Sequence, residues 1–459
     1  MMLFVGLLMV YLTGTALLLR FGKNFSWKET ISFSFLIGIA AETFFMFLAD
    51  VIGFGFTQLV LFFASFAVIA LNYDLMYDYF QQKRSEFKLP TFSNYAAIIL
   101  TLVIGYLFYV NAERNLYWAT TEHDAISSFD KLGMVMANEG HIKISLFDYN
   151  LQGSGGIYPP LFHGAIAYVY LFGAENPKII TTLFYFSLLL GFYALAKKYV
   201  SSINALFFTL LLEMVPEIFA HGHYLLGNIP TATNVGMAAL TLFVALDKNL
   251  PTGQAGDKSY LWLSAVLTAI ALWTRNDIIG FAVAATAIVT VRFLRQKEWK
   301  TIGIYAAIAF STFIIWSLYL KFKIAIPQTE RFDFSQATGL RFKTMMLYIG
   351  VMLNGINGFG HELFGLTFVI SFLFILLNIK NIATDRGYIL VYILIAFLGY
   401  FLVFFFISEK AQQASISDLM ESSFKRGLFC FIPPLLFYAS TCKFSQTIFD
   451  KIERFRNAQ

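Results

Sequence analysis

The chain has 459 residues, of which 58% are hydrophobic, 18% aromatic and only 13% charged, against roughly a quarter charged in an ordinary soluble domain. This composition excludes a soluble globular enzyme, a disordered protein and a disulfide-stapled secreted module. The excess of 33 Lys and Arg over 28 Asp and Glu, a net charge of +5, reads as the basic loops of a membrane protein rather than a nucleic-acid partner.

In chain order, apolar segments fall at 3–19, 31–50, 56–71, 95–112, 158–173, 179–196, 203–220, 229–246, 260–273, 277–291, 301–320, 344–357, 362–379, 387–407 and 427–441. Most approach the roughly 20 residues that carry a helix across a bilayer. The short alternating segments of a membrane β-barrel are not seen. The expected fold is therefore an all-α polytopic membrane protein. Met1 to Leu19 has neither a basic leader nor a small-residue cleavage site, so it reads as the first spanning helix. Cys430 and Cys442 flank or sit within one apolar run and suggest neither a disulfide nor a metal site.

Basic residues set the expected orientation. Arg20, Lys23 and Lys28 follow the first segment, and Lys83, Arg84 and Lys88 follow the third. Both loops lie on one side, taken as cytoplasmic. The longest polar stretch, 113–157, then lies outside; such loops are usually functional. Strict alternation beyond it would put Lys197, Lys198, Lys248, Lys258, Arg292, Arg295, Lys297 and Lys300 all outside. The conflict disappears if 158–173, opened by Pro159 and Pro160, does not span. With 344–357 also non-spanning, the loops 113–157, 221–228, 274–276, 321–361 and 408–426 fall outside. About 13 helices then cross the membrane, with the N-terminus outside and Lys451, Arg454 and Arg456 inside.

The outer loop carries Glu122-His123-Asp124 just past a helix end. Such carboxylates can serve as a general base, a metal ligand or a cation site; in isolation they also fit a merely solvated loop. Residues 129–139 read as a short amphipathic helix with Phe129, Leu132 and Met136 on one face, closed by Gly140. Gly153-Ser154-Gly155-Gly156 and Tyr158-Pro159-Pro160-Leu161 follow.

This ordered set resembles the first outer loop of the GT-C superfamily of membrane glycosyltransferases. The likeness is to the branch that holds protein O-mannosyltransferases and lipid A aminoarabinose transferases. Asp124 stands at the family's key aspartate by its distance to Gly140. Ala125 departs from the second acid often found there, and Glu122 offers an acid two residues earlier. His221 to Pro230 is similar to the second outer loop, with Asn228 in place of an acid. Trp273-Thr274-Arg275-Asn276-Asp277 is similar to the family's Thr-Arg-Pro-Glu turn. Ser422-Ser423-Phe424-Lys425-Arg426 before Pro433-Pro434 resembles its late Glu-Arg-Tyr segment. The likeness covers 113–280 and 420–436, so residues 1–94 read as added N-terminal helices before a catalytic module over 95–459.

The resemblance implies transfer of a sugar from a polyprenyl-phosphate carrier to a lipid, glycan or protein acceptor on the outer face of a bacterial plasma membrane, with inversion. Asp124 would be the general base and Glu122 would assist. Both would bind a divalent cation only if one is used. Arg275, Arg426 and Lys425 would hold the carrier phosphate. His123, Tyr158, His221, His223 and Asn228 would line the substrate site. Snorkelling to lipid headgroups competes for the cations, and an ion pair with Asp277 competes for Arg275. Two other readings stand beside this one: a transporter or flippase, for which the acids Glu42, Asp50 and Glu213 in or near apolar segments are candidates, and a polysaccharide polymerase or ligase.

Overall fold

A bilayer offers no water to backbone N–H and C=O groups, so apolar segments satisfy them internally as helices. The computed structural model describes residues 1–84, 95–148, 158–247, 258–324, 332–354, 363–383, 386–412 and 414–457. Its described residues are helical apart from turns and one isolated antiparallel bridge between Phe332 and Ile407. The helices are α1 (Met2–Leu18), α2 (Trp27–Val51), α3 (Gln58–Leu71), α4 (Tyr73–Arg84), α5 (Tyr95–Tyr117), α6 (Asp130–Glu139) and α7 (Leu161–Leu171). There follow α8 (Ile179–Ala196), α9 (Ser202–Glu213), α10 (Pro216–His221), α11 (Asn228–Leu246), α12 (Lys258–Thr274), α13 (Ile279–Leu294) and α14 (Trp299–Tyr319). The last are α15 (Gly339–Asn354), α16 (Thr367–Leu377), α17 (Gly387–Phe406), α18 (Ile432–Thr441) and α19 (Lys443–Asn457).

By length and composition, 6 helices among the described residues can cross a membrane, or up to 8 if the bent pairs α3–α4 and 416–441 with 443–449 each count as one. The sequence expectation of about 13 also counted α1, α9, α12, α13 and α16, which run 17, 12, 17, 16 and 11 residues. α11 lies wholly inside the bundle, whereas only 6% of the apolar stretch of α5 is buried. α2 is also central: Phe35 meets Phe184 of α8 edge-on at 5.0 Å, and Phe47 meets Trp273 of α12 at 5.2 Å. Side chains of α1 and α2 such as Val10, Phe33, Phe35 and Phe47 belong to the main core.

Small residues bring α1 and α2 together. A Cβ on Gly14 would run into the Ser34 carbonyl, and one on Gly38 into the Val10 carbonyl. Backbones that close leave room for the Thr15–Ser34 hydroxyl pair at 2.8 Å, a mode of packing that helices use where hydrophobic burial cannot drive them together.

The bundle has two ends with different chemistry. At one, Lys198 reaches Glu29 at 3.3 Å, Tyr260 donates to Glu29 at 2.7 Å, and Arg386 pairs with Asp247 at 2.8 Å. These residues come from loops and helix ends assigned above to the cytoplasmic side. At the other end meet the segments around 50, 124, 141, 221, 275, 319 and 426. Asp50 at the end of α2 accepts from the Ile142 amide at 3.2 Å, lies 3.0 Å from His141 Nδ1 and bonds the Tyr319 hydroxyl. α7 belongs wholly to this second end. Before it, Tyr158 stacks on Phe129; after it, Gln58 bonds the Leu171 carbonyl and Asn176 bonds the Asn115 carbonyl at 2.7 Å. At 11 residues, this helix is short of the roughly 20 that carry a helix across a bilayer.

Candidate active site at the outer-loop end

The site grows from the loop after α5. Asp124 precedes a π-helical turn over Ala125–Phe129, which leads directly into α6. α6 lies flat on α7 through buried Leu132 and Met136, and Gly133 is bare where a Cβ would strike Ile166. The amphipathic helix expected over 129–139 is therefore present. Gly140 closes it at φ +71°, a left-handed conformation that glycine adopts without strain. Its carbonyl accepts from Phe56 N at 2.7 Å, and the Asp50 clamp holds the next two residues. The Gly153–Gly156 turn lies outside the described residues.

Arg426 arrives from the far end of the chain. Ser415 and Asp418 cap the turn at 416–419, a π-helical turn spans Met420–Phe424, and a helical turn carries Lys425–Gly427. Tyr400 of α17 fixes this run: its hydroxyl donates to the Ser423 and Phe424 carbonyls at 3.3 and 3.2 Å. Gly427 lets the Tyr400 ring pass where any Cβ would collide with it. So held, Arg426 Nη1 donates to Asp124 Oδ2 at 2.7 Å, across 302 residues of sequence.

Beside this ion pair lies a cavity of about 390 Å³ lined by Glu122, Pro216, Glu217, Ala220, His221, Tyr224, Leu226, Lys425 and Arg426. The volume is within the range of small-molecule sites. Glu122 has one carboxylate oxygen, Oε2, buried with no hydrogen-bond partner. Of the residues singled out from sequence, Glu122, His221, Lys425 and Arg426 thus share one wall, and Asp124 joins them through Arg426.

The others sit apart. His123 is almost fully exposed, with Nδ1 3.8 Å from Asp124 Oδ1, and does not line the cavity. Arg275 is buried and its guanidinium is taken: Nε donates to Asp277 Oδ1 at 3.0 Å, Nη2 bonds Asp277 Oδ2, and Nη1 donates to Asn228 Oδ1 at 3.2 Å. The ion pair weighed for Arg275 from sequence is the arrangement found. Tyr158 lies under Arg275, 5.2 Å from the ring centroid to the guanidinium carbon. Asn228 is buried and bridges Arg275 to His221, whose Nδ1 is 3.1 Å from Asn228 Nδ2. His223 packs on Tyr224 at 4.6 Å; burial, with Arg114 and Lys178 nearby, pushes it down to about 4.

Arg341, a further outer cation, is equally committed. It bonds Glu409, Gln336 and the carbonyls of Phe404 and Ile407 at 2.8 to 3.1 Å, so it ties two outer loops together. Among the described residues no group of three or more His, Cys, Asp or Glu is arranged to hold a metal ion. Of the two acids considered for a cation, Asp124 faces the Arg426 guanidinium at 2.7 Å.

Sequence reasoning missed Glu217, which lines the cavity with its Oε2 3.0 Å from His221 Nε2. The signal available was the i, i+4 spacing of Glu217 and His221 on a helix opened by Pro216. It also missed Lys178, buried at the start of α8, whose ammonium lies within electrostatic range of Glu122. The chain matches no protein-family model, no curated protein and no solved structure with which it was compared.

Proposed function

We propose that the protein is a membrane glycosyltransferase that moves a sugar from a polyprenyl-phosphate carrier to an acceptor at the outer face of a bacterial plasma membrane. The observation that carries this reading is the Asp124–Arg426 ion pair beside a cavity that also holds Glu122 and Lys425. Transfer from a lipid phosphate requires a base for the acceptor hydroxyl and cations for the leaving phosphate. Both kinds of group meet here, drawn from segments that the sequence likeness singled out independently.

The proposed reaction is a single displacement. The donor phosphate draws Arg426 and Lys425 to itself. The pair with Asp124 is partly exposed, at 41% and 32% for the two side chains, and such pairs contribute about 0–1 kcal/mol. Charge-assisted bonds to a phosphate, at about 1.5–3 kcal/mol each, are enough to open it. Asp124 is then free beside the reacting centre. The acceptor oxygen attacks the anomeric carbon, its proton passes to Asp124, and the bond to the phosphate oxygen breaks with its electron pair leaving on the carrier phosphate. The configuration inverts. Glu122 assists as a second carboxylate. Arg275, with Tyr158 and Asn228, shapes the wall behind. In this reading about 13 helices cross the membrane, the shorter α1, α9, α13 and α16 among them, and the cavity faces outward.

The test is sugar release from a panel of polyprenyl-phosphate sugars in membranes carrying the wild type or Asp124→Asn. Turnover should fall by about 10²-fold or more, the scale of a lost general base. Turnover unchanged by the substitution would remove Asp124 from the chemistry. A transport reading stands second, favoured by Glu213, buried with both carboxylate oxygens unpaired, and by Glu42, buried and bonded to Ser65. Uptake of a lipid-linked solute without sugar release would select it.

A further inference from the structure

The hydrogen bonds behind the cavity run in one direction, and that direction prepares Glu217. Arg275 has donors only, so the Asn228 atom facing it at 3.2 Å is the amide oxygen. Asn228 therefore turns its NH₂ toward His221, 3.1 Å from Nδ1. An NH₂ can only donate, so Nδ1 is an acceptor and the His221 proton sits on Nε2. That nitrogen is 3.0 Å from Glu217 Oε2. Asp277 anchors the other end of the chain by binding Arg275. Five residues from α10, α11 and the α12–α13 junction thus place one carboxylate on the cavity wall with one oxygen engaged by a neutral imidazole. Among the described residues neither Glu217 nor His221 is hydrogen-bonded to Arg426 or Asp124.

We propose that Glu217 is the acceptor-recognition group of this site, and that the acceptor presents O–H or N–H donors, as a polyol or a primary ammonium, at the cavity wall. The inference rests on the transferase reading for the word acceptor. Its chemistry follows from the lining. The cavity carries two carboxylates, Glu122 and Glu217, and two cations, Lys425 and Arg426. Phosphate is served by the cations, as charge-assisted bonds from Arg and Lys require. Ionised carboxylates are acceptors only, so the group they recognise must donate. An anionic group at Glu217 would meet like charge, which recognition sites avoid. The elements that set Glu217 are a helix opened by Pro216 and a buried arginine chain, so the carboxylate is ordered before ligand arrives and little entropy is lost on binding.

The experiment measures binding without turnover, on the full chain in lipid nanodiscs, by ligand-observed NMR. The probes are n-hexyl β-D-glucoside, n-hexylammonium and n-hexyl phosphate. The wild type should bind the phosphate and at least one of the two donor probes; whichever binds identifies polyol or ammonium chemistry. Glu217→Gln should weaken that donor probe by about 10-fold to 100-fold, the worth of a hydrogen bond to a charged group, and leave hexyl phosphate unchanged. Arg426→Gln should do the reverse. Glu217→Asp, which keeps the charge and shortens the reach, should give an intermediate loss and covers the case in which the glutamine variant melts early. Failure of the wild type to bind either donor probe, or equal affinity in wild type and both Glu217 variants, overturns the proposal. A chain that binds as expected yet releases no sugar from any polyprenyl-phosphate donor keeps this site and loses the transferase reading.

Discussion

Asp124 and Arg426 each limit what the other can do. In the proposed transferase, pairing at 2.7 Å would hold the carboxylate from an acceptor and the guanidinium from a phosphate until the donor separates them. Removing Arg426 should then raise the donor KM more than removing Asp124, whereas Asp124→Asn should act on kcat; steady-state kinetics with a single donor separates the two. His223 makes a different kind of prediction. Burial, with Arg114 and Lys178, holds it down to about 4 from an ordinary 6.5. The unfolded chain binds that proton near pH 6.5 and the folded chain does not until about 4. Stability from this residue is therefore complete above about pH 6.5 and is lost as the pH falls toward 4. Thermal melts across that window should show the decline, and His223→Asn should flatten it. A melt insensitive to pH in the wild type would contradict the packing of His223 described here.

At the scale of elements, the contact between α1 and α2 decides much of the N-terminal half. Their backbones meet at Gly14 and Gly38 with no space for a Cβ. Gly38→Ala should therefore destabilise by about 1–3 kcal/mol, the cost of overpacking a fixed contact. Gly303→Ala on α14, where nothing lies within 4 Å, is the matched control and should be neutral or slightly stabilising because alanine favours a helix. Equal effects of the two substitutions on detergent melting would refute the close crossing. The same half also positions the site. Asp50 at the tip of α2 secures His141 and Ile142 after α6, and α6 carries the turn that presents Asp124. The N-terminal helices thus support the segment that carries Asp124.

Across the whole molecule, the side of each loop is an expectation from lysine and arginine positions that labelling can test. Labelling of Asp124→Cys and Lys297→Cys, in a chain with Cys430 and Cys442 replaced, should mark only position 124 with an impermeant reagent applied from outside. Labelling of both from one side would break the assignment. The parity behind it depends on α7, whose two flanks lie at the same end. Proline at 159 and 160 and the excess of lysines beyond 196 are the sequence features behind that expectation. What α7 packs against was not legible: beside α6, the helix before it, its partner is α2, more than a hundred residues earlier.

Sequence by itself determined that this is a helical protein with apolar helices suited to a membrane, and that 113–157 holds a short amphipathic helix ending at Gly140. These follow from composition, periodicity and charge, all of which are local. Tertiary structure alone decided which charges remain available. Arg275 and Arg341 read from sequence like Arg426, yet Asp277 with Asn228 occupies the first and Glu409 with two carbonyls the second, because an arginine buried at a helix junction must be paired where it lies. Glu217 was invisible as a site residue for the converse reason. Its significance comes from a chain of hydrogen bonds through His221, Asn228 and Arg275, and only the folded backbone brings those residues into line.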